Sequence, residues 1–254
     1  MAGQRYGKET VCHCERNGVK RDSFFLMRVG IRLRLRQGYR ASLRCARTND
    51  YPLPLLLPRS FFERPDVLTI AHDLLGKRVF TRIDGELTGG RIVETEAYRH
   101  LGDPSITLHL QRKAKQARGL YQPGGTAYLY TVYRVHTLFN ITTHDAEHPD
   151  AVLIRAIEPL EGLEVMLRRR GLAAVARNLT AGPGVLSQAL GLTPVLTGEA
   201  VTGPHIWFED AGETIGDEQV MASSRVGLEY AGAEAVALPW RFRLKDSKWT
   251  SPAK

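Results

Sequence analysis

Two carboxylates lie two residues apart in an otherwise apolar stretch, GRIVETEAYRH. In an extended chain alternate side chains share a face, so Glu94, Glu96 and Tyr98 are expected on one side of a strand. A buried carboxylate is costly unless it is paired or used, and a second one nearby pushes at least one pKa upward. Such a pair suits general acid–base chemistry. The structural alternative is that either glutamate pairs with an arginine of a neighbouring strand, such as Arg155 or Arg91.

A second group of chemically useful residues is the aromatic run YLYTVYRVHTLFN. If this run forms two strands, Tyr128 and Tyr130 share a face and Tyr133 lies near the hairpin tip. Aromatic rings at a loop tip contribute little to a core, but they stack on bases or insert between them. The alternative is a tyrosine-rich sheet surface that packs on its own core.

Hydrophobic periodicity and turn residues predict the elements that position these side chains. A helix is expected between Asp66 and Gly76, two strands flank an Asp84–Gly85 turn, and residues 101–119 are expected to be irregular. The other predicted elements are a strand at Ala151–Ile157, a helix in EPLEGLEVMLRRRGL, a short helix behind Gly182, and short strands in IWFED, SRVGLEY and WRFRLKD. This order favours an α+β fold, a single mixed domain with a largely antiparallel curved sheet, flanking helices and a protruding β-hairpin.

The net charge of +8 is confined to the N-terminal part of the 254-residue chain. Residues 1–50 contain 12 Lys and Arg against 4 Asp and Glu, whereas the remaining 204 residues contain 23 of each. We expect residues 1–57 to be a basic, disordered extension and residues 58–254 to be the working domain. The extension is also compatible with an organelle transit peptide, or with a segment absent from the working protein, since Met27 offers a later start.

Cysteine usage and hydropathy narrow the class of protein further. All three cysteines, Cys12, Cys14 and Cys45, lie in the extension, and a lone C-x-C is too little for a zinc site. The rest of the chain needs neither disulfides nor thiolate chemistry, so a reducing cytoplasm is the expected compartment. No run of 18 apolar residues occurs in the sequence, so no membrane-spanning segment is expected.

Five ordered segments resemble the alkyladenine (3-methyladenine) DNA glycosylase family over residues 58–251. They are RIVETEAY, PGGTAYLYTVYRVHTLFN, AVLIRAIEPLEG, LTAGPGVLSQALG, and RVGLEYAG with LPWRFRLKDSKWTS. The resemblance implies a monomeric enzyme that excises alkylated or deaminated purines from double-stranded DNA by hydrolysing the N-glycosidic bond. It implies no metal, no cofactor and no covalent enzyme intermediate. In a bacterium such a protein is expected at the nucleoid.

The resemblance also assigns roles to individual residues. Glu96, the second glutamate of E-T-E-A-Y, is the implied general base that activates water, and Arg155 lies near that water and the target phosphate. Tyr98 and Tyr130 are the implied stacking walls for the flipped base. The residues assigned to DNA contact and base selection are Tyr133, which enters the minor groove, Asn140, which rejects normal guanine, and Gly182, at a helix entrance that offers N–H groups to a phosphate.

Three positions depart from the family pattern. An ungapped alignment puts Thr107 where the family has a pocket histidine; His109 shares its face if this stretch is extended, and is either a substitute wall or an ordinary loop histidine. Arg134 replaces the glycine after the wedge tyrosine, which removes a turn residue but adds a cation beside the minor groove. Val185 replaces a lysine. The basic cluster RKAKQAR (112–118) either follows phosphates or is a solvated surface.

The implied chemistry is physically coherent. A purine inside a duplex is out of reach until it is rotated out and replaced by a wedge, at a cost of about a few kcal/mol. Stacking on tyrosine returns about 1–3 kcal/mol per base, and a cationic alkylated purine gains more from aromatic faces. The carboxylate then directs water at C1′ as oxocarbenium character develops. Two alternatives are a relative that recognises damaged DNA without cutting it, and a hydrolase of small nucleosides that uses Glu94 and Glu96.

Overall fold

The computed structural model describes residues 14–16, 19–21 and 55–252 of a chain that divides into two compact units, residues 1–50 and residues 51–254. In the smaller unit two three-residue strands, β1 (Cys14–Arg16) and β2 (Val19–Arg21), pair antiparallel. The disorder expected for residues 1–57, the transit peptide and the later start fall largely outside the described residues. They stay predictions.

The larger unit is built on an antiparallel sheet of nine strands. The strands are β3 (Leu55–Leu56), β4 (Arg78–Ile83), β5 (Glu86–Tyr98), β6 (Ala127–Val132), β7 (His136–Thr143), β8 (Asp150–Glu161), β9 (Ile206–Asp210), β10 (Val220–Ser223) and β11 (Arg241–Leu244). Seven of them follow the order β3–β9–β4–β5–β8–β7–β6, while β11 pairs with both β5 and β10. The α+β fold with a largely antiparallel sheet is confirmed.

Seven helices accompany this sheet in the described part of the chain. They are α1 (Arg59–Phe62), α2 (Val67–Asp73), α3 (Pro104–Arg112), α4 (Ala114–Ala117), α5 (Leu163–Arg170), α6 (Pro183–Leu190) and α7 (Ala233–Ala237). Single 3-10 turns lie at Arg118–Leu120, Arg177–Leu179, Pro194–Leu196, Asp217–Gln219 and Glu229–Ala231. Among the described residues, no helix combines the length and the apolar composition that a bilayer crossing requires.

Strand β5, with 13 residues, is the strand that connects the fold to the site. It pairs with β4 through residues 86–91, with β8 along most of its length, and with β11 through residues 94–96. The Thr95 hydroxyl donates to the Ala71 carbonyl in α2 at 2.8 Å, so Thr95 faces the helices. Glu94 and Glu96 therefore face the other side, as alternation along a strand requires.

Local turn and capping residues produce the elements that the sequence predicts. The Asp66 carboxylate accepts hydrogen bonds from the backbone N–H groups of Leu68 and Thr69, which starts α2. Asp84 and Gly85 both have positive φ, 55° and 79°, as a tight two-residue hairpin turn requires.

The segment at residues 101–119 is helical, and the prediction of irregular structure there is wrong. The Asp103 carboxylate accepts from the backbone N–H of Ser105 at 3.0 Å, and Pro104 occupies the first turn of α3. This is a standard helix start, in which an acidic cap precedes a proline that has no N–H to satisfy. The polar composition of the segment conceals it, because its outer face is solvated.

The segment SRVGLEY is not a strand, and the helix in EPLEGLEVMLRRRGL is shorter than its sequence suggests. Strand β10 ends at Ser223, after which Arg225 is buried and Gly227 adopts a φ of 76°. The chain therefore leaves the sheet to place one arginine inside the domain. Strand β8 continues to Glu161, so α5 begins only after Gly162, whose φ is 71°.

Candidate active site

Glu96 is a fully buried carboxylate near the end of β5. Its Oε1 accepts a hydrogen bond from the backbone N–H of Val226 at 2.9 Å, and its Oε2 accepts one from the Tyr98 hydroxyl at 2.8 Å. The Nη1 of Arg155 lies 3.2 Å from Oε1. These contacts fix the orientation of the carboxylate, which a group that directs a water molecule needs.

Glu94 is equally buried but has a different set of partners. Its Oε1 accepts from Arg155 Nε at 2.7 Å, from Arg241 Nε at 2.8 Å and from Ser251 Oγ at 2.7 Å, and its Oε2 accepts from the backbone N–H of Ser251. Burial by itself raises the pKa of Glu94, but the two guanidinium groups and Ser251 outweigh it and hold the pKa below its ordinary value. This carboxylate stays ionised and anchors the arginines.

Arg155 links the two glutamates. It lies at a shift in the β5–β8 register, where Glu94 is opposite Ala156 and Thr95 is opposite Ile154. Burial by itself lowers the pKa of Arg155, but Glu96 and Glu94 outweigh burial and raise the pKa above its ordinary value. The site therefore contains a permanent positive charge beside Glu96.

Four aromatic rings pack close to one another beside this region. The rings of Tyr128 and Tyr130 stack with centroids 5.2 Å apart, and the His109 ring lies 5.0 Å from that of Tyr130. Tyr98 and Tyr130 pack on the same small apolar cluster that contains Tyr128. Burial, together with the charge of Glu96, raises the pKa of Tyr98 well above its ordinary value, so this ring is neutral. The result is an aromatic wall next to a carboxylate.

Helix α3 supplies His109, and not Thr107, to this wall. The expectation that both share one face holds only for an extended segment, because residues two apart in a helix are separated by about 200°. Thr107 is exposed, whereas His109 Nε2 lies 2.8 Å from the Tyr128 hydroxyl. Burial and the nearby Lys113 lower the pKa of His109 to about 4, so its ring is neutral near pH 7.

Asp103 and Arg225 form a buried pair that sequence reasoning missed. Arg225 donates to both carboxylate oxygens of Asp103, at 2.5 and 2.8 Å, and its guanidinium lies 4.6 Å from the centroid of the Tyr98 ring. Its neighbour Val226 is the residue whose N–H donates to Glu96. The Asp103–Arg225 pair thus joins the start of α3 to the segment whose backbone N–H donates to Glu96. The Asp103–Pro104 helix-start signature could have revealed the start of α3, but it does not identify Arg225 as the partner.

The β6–β7 hairpin ends in the loop Tyr133–Val135, beyond the pair Val132 and His136. Tyr133 is 87% exposed, and both Tyr133 and Arg134 have positive φ, 49° and 63°. Non-glycine residues in this region are strained and persist where the surroundings or the function require them. An aromatic ring and a cation are therefore presented together at an exposed tip.

Asn140, Gly182 and the basic cluster at residues 112–118 complete the set of predicted site residues. Asn140 is buried opposite Tyr128 and donates to the Tyr128 carbonyl at 3.3 Å. The Gly182 N–H donates to the Arg155 carbonyl at 3.1 Å, so this residue braces β8 at the entrance to α6. The basic residues of RKAKQAR are exposed, and Lys113 Nζ lies 5.9 Å from the Tyr130 ring.

The region combines an oriented, buried carboxylate, a permanent cation beside it and a wall of rings. This combination suits water-dependent chemistry on a flat, ring-shaped group. Comparison with known proteins identifies the class more closely. The model of the methylpurine-DNA glycosylase family matches residues 60–248.

Three relatives share the printed name "Putative 3-methyladenine DNA glycosylase". The protein of Chlamydia felis is 41% identical over 76% of this chain and 98% of its own length. That of Carboxydothermus hydrogenoformans is 39% identical over 78% of this chain and 99% of its own length, and that of Salinibacter ruber 40% identical over 78% and 97%. The chain belongs to the methylpurine-DNA glycosylase family, and it is a DNA repair hydrolase that acts on N-glycosyl bonds.

Proposed function

We propose that this glycosylase uses Glu96 as the general base that activates water against C1′ of a damaged purine nucleotide in duplex DNA. The observation that carries the proposal is the different environment of two equally buried glutamates. Glu94 is saturated by two arginines and Ser251, whereas Glu96 faces one guanidinium, one tyrosine hydroxyl and one backbone N–H. Only Glu96 keeps the capacity to take a proton from water.

In the proposed reaction, an oxygen–carbon bond forms between water and C1′ while the bond from C1′ to the purine nitrogen breaks. The proton of water passes to Glu96, and the electron pair of the broken bond leaves with the base. A purine that already carries a positive charge leaves as a neutral molecule, whereas hypoxanthine leaves as an anion and takes a proton from solvent. Arg155, which stays charged, would orient Glu96 and lie near the target phosphate.

The proposed substrates are alkylated or deaminated purines that have been rotated out of the stack. Tyr98 and Tyr130 would hold the flipped base by stacking, with His109 as the third side of the pocket. Asn140, which is fixed by the Tyr128 carbonyl, would select against an extra exocyclic amino group. Its position opposite Tyr128 supports this assignment.

Contacts to the rest of the duplex are proposed from exposure and charge. Tyr133 would fill the place of the flipped nucleotide through the minor groove, and Arg134 would lie beside a phosphate. The basic cluster at residues 112–118 and the α6 entrance at Gly182 would supply further phosphate contacts. Thr107, which is exposed, would contact DNA only at the pocket rim. We propose that the enzyme acts as a monomer, at the nucleoid in a bacterial cell.

The test is single-turnover release of hypoxanthine from a duplex that contains one such lesion. Glu96→Gln keeps the shape of the side chain but removes the base, so the rate of release should fall by about 10²–10⁴. Binding of the lesion duplex, measured by fluorescence anisotropy, should change little. Glu158→Gln is the matched control, because Glu158 lies on the adjacent strand β8 and contacts Arg91 rather than the site.

Wild-type release by Glu96→Gln would rule out the proposed base. Lesion binding without any release by the wild-type enzyme would favour the alternative of a DNA-binding relative that no longer cuts. A nucleoside hydrolase would differ in another way, since Tyr133→Ser would leave its rate on free nucleosides unchanged.

A further inference from the structure

A cluster of histidine and aspartate side chains lies in the loop between β7 and β8, away from Glu96. His144, Asp145 and His148 each offer one ligand atom, and these atoms all lie within 4.8 Å of one another. The rings of His144 and His148 have centroids 4.1 Å apart. Two imidazoles and a carboxylate gathered at this distance form a donor set that suits a divalent transition metal such as Zn²⁺.

The backbone holds this cluster in place. The N–H of His144 donates to the Phe62 carbonyl at 2.9 Å, and its carbonyl accepts from the Gly124 N–H at 2.8 Å. His144 is nevertheless held at a φ of 64°, a strained conformation for a residue with a side chain. Strain that the surrounding hydrogen bonds maintain is a common property of preorganised ligand sites.

A third histidine beside the cluster has the environment of a metal ligand. The ring of His100 lies 4.9 Å from that of His148. Its Nδ1 lies 2.8 Å from the buried carboxylate of Asp150, so the Nδ1–H donates to Asp150 and Nε2 keeps a free lone pair. Metal-binding histidines commonly have such a carboxylate partner, because it fixes the ring and the tautomer.

We propose that His144, Asp145 and His148 bind Zn²⁺, with His100 as a neighbouring donor. In this proposal the metal replaces the hydrogen bond that now joins His148 Nδ1 to Asp145 Oδ1 at 2.7 Å. The site joins the β7–β8 loop to His100, which lies two positions after Tyr98. Zn²⁺ therefore acts here as a structural link between this loop and the segment after β5 and takes no part in the hydrolysis, so this proposal is independent of the role of Glu96.

The test is Zn²⁺ binding by the untagged full-length chain in which Cys12, Cys14 and Cys45 are changed to Ser, since free thiolates also bind zinc. Competition with a chromogenic chelator should reveal one equivalent of Zn²⁺ bound at micromolar concentrations. His144→Ala and His148→Ala should each weaken binding by at least about tenfold. His205→Ala is the matched control, because His205 also lies beside a carboxylate, that of Glu199, but outside the cluster.

A second measurement does not depend on the folding of any histidine variant. In the same cysteine-free chain, Zn²⁺ should shift the NMR signals of the His144, His148 and His100 rings and leave that of His205 unchanged. The proposal is overturned if this chain binds no zinc, if the shifted signals belong to other histidines, or if folded His144→Ala and His148→Ala variants retain the original affinity.

Discussion

Two glutamates on one face of one strand have different chemical properties because their neighbours differ. Glu94 meets two guanidinium groups, and its pKa lies below the ordinary value because they outweigh the effect of burial. Glu96 shares one of these arginines and receives its other hydrogen bonds from neutral donors. For these single residues, the difference between the anchored carboxylate and the proposed base is therefore a matter of how much positive charge each one faces.

Glu94→Gln should strongly destabilise the domain. The change leaves Arg155 and Arg241 buried without their shared counter-charge, which typically costs about 3–5 kcal/mol. Urea unfolding at neutral pH would measure this loss, with the surface change Glu158→Gln as control. Because the folded pKa of Glu94 is lowered, its contribution is present above the ordinary carboxyl pKa and is lost as the pH falls through the folded value. A loss below about 1 kcal/mol at neutral pH would show that the pairing matters little.

His109 should make stability depend on pH between about 6.5 and 4, the ordinary and the folded pKa of its ring. In this window the unfolded chain binds a proton that the folded protein rejects, so stability falls as the pH is lowered. His109→Gln should reduce the difference in free energy of unfolding between pH 7 and about pH 5. Urea titrations at both pH values would measure it. If His109→Gln, the surface variant His205→Gln and the wild type all showed the same pH dependence of stability, the lowered pKa of His109 would be contradicted.

At the scale of elements, two devices position the site. The Asp103–Arg225 pair fixes the start of α3, and Arg225 also donates to the Ala97 carbonyl of β5 at 2.9 Å. The orientation of the helix that carries His109 thus depends on the strand that carries Glu96. The second device is the β6–β7 hairpin, which holds Tyr133 outside the domain on a strained loop.

Arg134→Gly should remove both the charge and the backbone strain of the residue at the hairpin tip, and the two losses affect different measurements. Glycine accepts a φ of 63° without strain, so the free energy of unfolding should rise by up to about 1 kcal/mol. The slope of log K against log salt concentration for duplex binding should fall by about 1, as expected when one phosphate contact is lost. Arg134→Lys keeps both the charge and the strain, and it should retain the original slope. Equal slopes for the three proteins would exclude a phosphate contact at this position.

In the molecule as a whole, the net positive charge and the candidate active site lie in different parts of the chain. Residues 1–50 carry the entire net charge of +8, while the unit at residues 51–254 holds equal numbers of acidic and basic residues. Lysine and arginine contacts dominate the salt-dependent, sequence-independent part of DNA affinity. We therefore expect residues 1–50 to add to non-specific DNA affinity, while the family match lies within the larger unit.

Removal of residues 1–50 should weaken binding to undamaged duplex DNA at low salt and reduce its salt dependence. Release of hypoxanthine at saturating enzyme should keep the wild-type rate, since the site lies wholly in residues 51–254. A full-length variant with Arg32, Arg34 and Arg36 changed to Gln is the control for length, and it should show a smaller effect of the same sign. Identical salt slopes for all three proteins would assign DNA capture to the larger unit alone.

Prediction from sequence succeeds here where the responsible contacts are near neighbours along the chain. The Asp84–Gly85 turn, the Asp66 cap and the hairpin around Tyr133 each depend on a few consecutive residues. It fails at residues 101–119 because the polar outer face of α3 conceals a helix whose inner face packs on distant strands. It fails at SRVGLEY because burial of Arg225 depends on Asp103, which lies 122 residues away.

Residue order alone is enough to predict the class of fold, the strand that carries both glutamates, the aromatic hairpin and the family to which the chain belongs. The partners that anchor Glu94, and the packing of His109 against Tyr128 and Tyr130, become visible only in the folded chain. The physical reason is distance along the chain: Arg241 reaches Glu94 across 147 residues, and Val226 reaches Glu96 across 130. Charge, burial and hydrogen bonding at these carboxylates are properties of contacts that form only when the chain has folded.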